Sequence, residues 1–207
     1  MTFSTSALRG LVAAAAILAA SPAFAQTPGN AAPTAAKAGT YGVEPWHTRV
    51  QFSVDHMGFT DWFGDFTGIS GQLVLDPAHA AADKVDITIP VASVSTTNTK
   101  LDGELKSADW FDAARYPEIH FVSTKVVRTG PAAALITGDL TFHGVTKPVT
   151  LAAHFHGAGV NPLSKGFTVG FDATTSIKRS DFGVKTYLPM IGDKVTLRIS
   201  AAFEKKD

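Results

Sequence analysis

The chain has 207 residues, 45% of them hydrophobic, with 18 lysines and arginines against 18 aspartates and glutamates and no cysteine. Balanced charge with scattered cations excludes an electrostatic nucleic-acid binder, which needs a clustered basic surface. The missing cysteines exclude a disulfide framework and a thiol nucleophile, so stability rests on the core alone.

The first 25 residues read as a secretory signal peptide: Arg9 supplies the positive start, Leu11 to Ala20 is apolar, and Ala23-Phe24-Ala25 is an A-x-A cleavage site. The apolar run is shorter than the ~20 residues a membrane span requires. Cleavage would leave 207 − 25 = 182 residues of net charge 17 − 18 = −1. A periplasmic location is the expectation. Residues 26–39, rich in Ala, Pro and Thr, read as a flexible spacer. Residues 40–207 are long enough for one domain with a sizeable core.

Strands follow in quick succession. From Tyr41 to His56, Val50, Phe52, Val54 and His56 fall on one face. Gly58 to Gly68 sets Phe59, Trp62, Phe63 and Phe66 among glycines and acidic residues, and reads as a mobile aromatic loop. Alternation resumes with Ile69, Gly71, Leu73 and Leu75, and again with Val85, Ile87 and Ile89, giving a hairpin. The period then changes. Thr99-x-x-Asp102 has capping-box spacing, and Leu101, Leu105 and Ala108 predict a short amphipathic helix followed directly by Trp110 and Phe111. Further strands are predicted over Ile119–Val127 with Phe121 inward, Ala134–Phe142 with Leu140 and Phe142 inward, and Val149–Phe155 with Leu151, Ala153 and Phe155 inward. Gly144 and Pro148 bracket the reversal between the last two. Phe167, Val169 and Phe171, then Val195, Leu197 and Ile199, complete about eight strands and one helix.

Such an all-β antiparallel series can close as a barrel or fold as a sandwich. Most strands carry one apolar face, and a barrel lets each do so while leaving no unpaired edge. An eight-stranded interior is either filled by side chains or holds one small ligand. The almost wholly apolar inward set favours a filled interior on pattern alone; Gly71 and Ala153, small residues at inward positions, and an aromatic loop and helix placed to form a mouth, point the other way.

Other chemistry finds little support. His154 and His156 share the face opposite Leu151, Ala153 and Phe155, and no third metal ligand accompanies them. His56, on the face of Phe52 and Val54, reads either as a group at the interior mouth that bonds a ligand head or as a satisfied core histidine. Arg179 and Asp181 can pair with each other or meet a polar head. No nucleophile elbow, metalloprotease helix or phosphate-binding loop is present.

The run Leu101-Asp-Gly-Glu-Leu-Lys-Ser-Ala-Asp-Trp-Phe-Asp-Ala-Ala-Arg-Tyr-Pro-Glu-Ile-His-Phe-Val-Ser123 resembles the signature of the YceI-like family. Trp46-His47 with Phe52, Val54 and His56, the spacing of Gly64, Phe66 and Gly71, Gly138 to Val149, and Arg179-Ser-Asp-Phe-Gly183 fit the same pattern. The resemblance implies an antiparallel lipocalin-like barrel whose apolar interior holds a long isoprenoid chain. It implies an exported binding protein, not an enzyme, that needs no cofactor. Its partner is an isoprenoid lipid or isoprenoid quinone, with transient membrane contact and a homodimer both compatible. The expected ligand-binding residues are Phe52, Val54, His56, Phe59, Leu73, Ile87, Ile89, Leu105, Trp110, Phe111, Phe121, Leu140, Phe142, Phe155, Phe167, Val169, Phe171 and Leu197. Two other readings stay open: an accessory protein or enzyme of quinone-linked electron transfer, and a filled barrel acting as an interaction module.

Overall fold

In a computed structural model that describes residues 27–206, the chain forms ten strands and, among the described residues, a single α-helix. The expected signal peptide lies outside the described residues. The elements are β1 (Gly39–Val43), β2 (Arg49–His56), β3 (Thr60–Phe66), β4 (Ser70–Leu75), β5 (Lys84–Pro90), α1 (Thr99–Lys106), β6 (Glu118–Arg128), β7 (Ala133–Phe142), β8 (Val145–Val160), β9 (Phe167–Lys178) and β10 (Ile191–Lys205).

The barrel closes in the order β1-β4-β5-β6-β7-β8-β9-β10, with β10 returning to pair with β1. Every pairing is antiparallel. β2 and β3 extend the wall: β2 lies on β10 beyond the β1 contact, and β3 folds back on β2. In effect β1 with β2, and β3 with β4, are two long strands each broken once. This is why a pattern of about eight strands resolves into ten pieces of an eight-stranded barrel.

Three expectations are corrected locally. The aromatic stretch between Gly58 and Gly68 is mostly strand, because Val50↔Phe66, Phe52↔Gly64 and Val54↔Trp62 pair in register. Gly64 is required there: a Cβ would lie 2.3 Å from the Phe52 ring. The reversal after Phe142 is tighter than Gly144 to Pro148. His143 and Gly144, with φ of 50° and 73°, make a two-residue turn of the kind that matches strand twist. Pro148 then sits in β8 opposite Asp139, before β9 joins at Ala152↔Thr174, so its missing N–H removes no bond to β9. Finally, the N-cap of α1 is Asn98, whose side chain accepts from the N–H groups of Lys100 and Leu101. Asp102 instead accepts from the Thr96 N–H and hydroxyl, pinning the segment ahead of the helix.

Ahead of β1, within the expected spacer, Asn30 exchanges two backbone hydrogen bonds with Ala158 of β8. The Tyr41 hydroxyl donates to the Lys37 carbonyl at 2.6 Å, and the Lys37 ammonium lies 4.4 Å from the Phe167 ring centre. The segment is laid along the barrel over its described part.

Candidate functional site: an apolar cavity in the barrel

The inward faces do not fill the barrel. They enclose a cavity of about 300 Å3. Its wall is built by alternation: Val50, Phe52 and Val54 of β2, Leu73 and Leu75 of β4, Val85, Ile87 and Ile89 of β5, Ile119 and Phe121 of β6, Leu140 and Phe142 of β7, and Val195, Leu197 and Ile199 of β10 all line it. Room comes from a row of alanines. Ala134 of β7 pairs with Ala153 of β8, which pairs with Ala173 of β9, and all three line the cavity. Ala153 thus occupies the place foreseen for it. Gly71 does not widen the cavity; a Cβ there would lie 2.1 Å from the Asp86 carbonyl oxygen, so the residue permits close backbone approach to β5.

The end nearest α1 is a floor. Leu105, Trp110, Phe111, Phe142, Arg179 and Ile191 line it, and Trp110 is buried. Rings run across it in sequence: Phe52 to Phe66 at 5.6 Å, Phe66 to Phe111 at 6.1 Å, Phe111 to Phe142 at 5.3 Å and Phe142 to Phe182 at 5.8 Å between centres. The long connection between β5 and β6 therefore closes the barrel where a mouth was expected.

Arg179 holds this floor together. It is 4% exposed, and its guanidinium donates to the carbonyls of Gly192 at 2.8 Å, Val184 at 3.2 Å and Ile191 at 2.8 Å while lying 5.4 Å from the Trp110 ring centre. Burial pulls its pKa below the ordinary value against the opposing charge of Asp193. Pairing with Asp181 is not its role. Asp193 accepts instead from the Ser180 N–H and hydroxyl. Burial pushes the Asp193 carboxyl up, but those two bonds and the charges of Arg179 and Lys178 outweigh it and hold the group below its ordinary value.

The other end is a rim, where the cavity is lined by Pro77, Ala80, Asp83, Arg128 and Pro131 together with Pro33 and Ala36 of the segment before β1. Arg128 and Pro131 are exposed. Apart from the Trp110 indole, the polar side chains on the lining are Thr48, Thr175, Arg179, Asp83 and Arg128. The first three are engaged by backbone carbonyls, those of Ala202, Thr150 and the three already named.

Of the residues expected to bind ligand, Phe52, Val54, Leu73, Ile87, Ile89, Leu105, Trp110, Phe111, Phe121, Leu140, Phe142, Phe155, Phe171 and Leu197 line the cavity. Four do not. His56 pairs with Thr60 and Ile191 at the last rung of the β2–β3 hairpin, and Phe59, 83% exposed, sits on its tip. Val169 faces inward but is packed with Tyr41, Phe155 and Phe203 in a second apolar cluster, with Phe167 against it. Alternation alone also misses Arg128. A bulge between Ser123 and Lys125 of β6 shifts the parity, so Val126 and Arg128 turn inward and Val127 outward. His156 is held by Asp172 at 2.8 Å on the outer face, and no group of three or more metal-ligating residues occurs among the described residues.

Comparison with known proteins matches this architecture. The YceI-like domain profile matches residues 41–203. Protein YceI of Escherichia coli O6:H1 is 43% identical over 157 residues, covering 76% of this chain and 81% of that protein. Among solved structures, Burkholderia cenocepacia BcnA superposes with a TM-score of 0.70 at 29% identity, covering 77% of this chain and 98% of that one. A polyisoprenoid binding domain from Saccharophagus degradans, implicated in plant cell wall breakdown, shares the fold with a TM-score of 0.63 at 13% identity, covering 82% of this chain and 100% of that one. A closed barrel with an aromatic floor, matched along nearly all of its folded length, belongs to a protein of the YceI-like family.

Proposed function

We propose that the protein is an exported, non-enzymatic lipid binder that sequesters or carries a long-chain isoprenoid, of the quinone or polyprenyl type, through an aqueous compartment. The observation that carries this reading is the cavity itself. An apolar cavity of about 300 Å3 leaves its lining side chains without contacts on one side. An apolar occupant restores those contacts. An isoprenoid chain suits the wall because it presents no polar atoms needing partners, and the wall offers almost none. Alternating strands exclude water from the chain, and no covalent step is required. Periplasmic location rests on the leader sequence, and the polyisoprenoid-binding neighbour supports the ligand class.

The test is mass spectrometry of an organic extract from protein purified without detergent, alongside an unrelated exported protein. A stoichiometric isoprenoid supports the carrier and identifies the head group, which separates a quinone pathway from a polyprenyl one. A clean extract with no uptake of added isoprenoid removes the carrier and leaves an interaction module as the better reading.

A further inference from the structure

The cavity is chemically asymmetric, and the asymmetry orients its ligand. At the floor the sole charged lining side chain, Arg179, is engaged by three backbone carbonyls and a ring. An ionised head placed there would be taken out of water beside phenylalanines, which is unfavourable unless a charged partner compensates it. At the rim the situation reverses. Arg128 is exposed, lines the cavity, and its hydrogen bond is to the Pro77 carbonyl at 2.8 Å. A guanidinium has five N–H donors, so Arg128 retains donors beyond the one given to Pro77 for an acceptor at the rim. Asp83 lines the same rim and accepts from the Asp76 N–H at 2.6 Å. Among the described residues no ion pair joins Asp83 to Arg128.

We propose that the ligand lies tail inward, its chain end against Trp110 and Phe111, with an acceptor-oxygen head at the rim recognised by Arg128 beside Asp83. This rests on the lipid-binding reading above and adds to it a head-group site and a direction of entry. The shared chemistry is an oxygen acceptor, phosphoryl or carbonyl. Burial holds the Asp83 carboxyl above its ordinary value, against the Asp76 N–H bond and the charge of Arg128, which pull it down. Pro33 and Ala36 border the same opening, so the segment anchored through Asn30 lies beside the head.

The experiment measures Kd for geranylgeranyl phosphate, geranylgeraniol and a short-chain menaquinone on the full exported protein and on Arg128→Ala and Arg128→Lys. In Arg128→Ala the affinity for the phosphate, or for the quinone if the carbonyl is the true head, should fall about tenfold, the weight of one charge-assisted hydrogen bond at a part-exposed site. Geranylgeraniol, whose neutral hydroxyl is a weaker acceptor than an ionised phosphoryl oxygen, should lose less than the phosphate does, and Lys should rescue the phosphate but not the quinone. A second readout is orientation. With Trp46→Phe and Trp62→Phe leaving Trp110 as the sole tryptophan, geranylgeranyl phosphate brominated at its chain end should quench Trp110 fluorescence, and bromination next to the head should not. Unchanged discrimination in Arg128→Ala, or stronger quenching from the head position, overturns the proposal while leaving lipid binding intact. Failure of the wild type to bind any of the three ligands overturns the lipid-binding reading itself.

Discussion

Ala153→Phe tests whether the cavity is where the proposed ligand sits, because filling it should raise stability and lower affinity together. Ala153 lies in the alanine row between Ala134 and Ala173, facing the cavity. A phenyl group there takes up roughly 100 Å3, and at ~24 cal/mol per Å3 should stabilise the ligand-free protein by about 2 kcal/mol. The same ring displaces roughly four methylene-sized groups of a bound chain at ~0.8 kcal/mol each, about 3 kcal/mol of affinity. That is about a hundredfold or more in Kd. The assay is urea unfolding of delipidated protein together with titration of geranylgeraniol by Trp110 fluorescence. A stability loss of about 1–3 kcal/mol, the signature of overpacking, with lipid affinity unchanged would refute the reasoning.

Arg179→Met should lower stability by about 3 kcal/mol or more, since it strands the carbonyls of Gly192, Val184 and Ile191 without a donor, and urea midpoints will show it. Gly138→Ala should cost about 1–3 kcal/mol in the same assay, because its Cβ would lie 2.5 Å from both the Phe121 ring and the Val122 carbonyl oxygen. Asp193 is held below its ordinary pKa, so its contribution is present above the unfolded carboxylate value and lost as pH falls through the native one. Asp193→Asn should therefore flatten the acid limb of a stability-against-pH curve and leave the alkaline limb alone.

Period-two alternation carried most of the architecture, because a barrel imposes one apolar face on each strand without exception. It failed where geometry departs from the period. The bulge in β6 turned Arg128 inward against the count from Phe121, and nothing in Ser123-Thr124-Lys125 announces a bulge. The β3 strand hid behind its glycines, since Gly64 reads as a loop residue until the Phe52 ring that needs the space is known. Arg179 looked like an exposed turn charge because its partners are main-chain carbonyls, which leave no trace in side-chain pattern. The position of α1 was legible, but not the end of the barrel it closes or the fact that it closes it, since that depends on the path of the chain from Val91 to Pro117 across the floor.

Closure of the ring sets an order of events during synthesis. Neighbouring strands around the barrel are mostly neighbours in sequence, so β4 through β10 can zip locally as they emerge. The seam cannot. Thr48 and Ala202, which exchange hydrogen bonds across it, are 154 residues apart. Until the last strand arrives, the edges of β1 and β9 stand open and the apolar lining faces solvent, so the chain is an open apolar sheet before it is a container. Under the proposed lipid-binding function, first loading can therefore coincide with closing, whereas later exchange passes the rim.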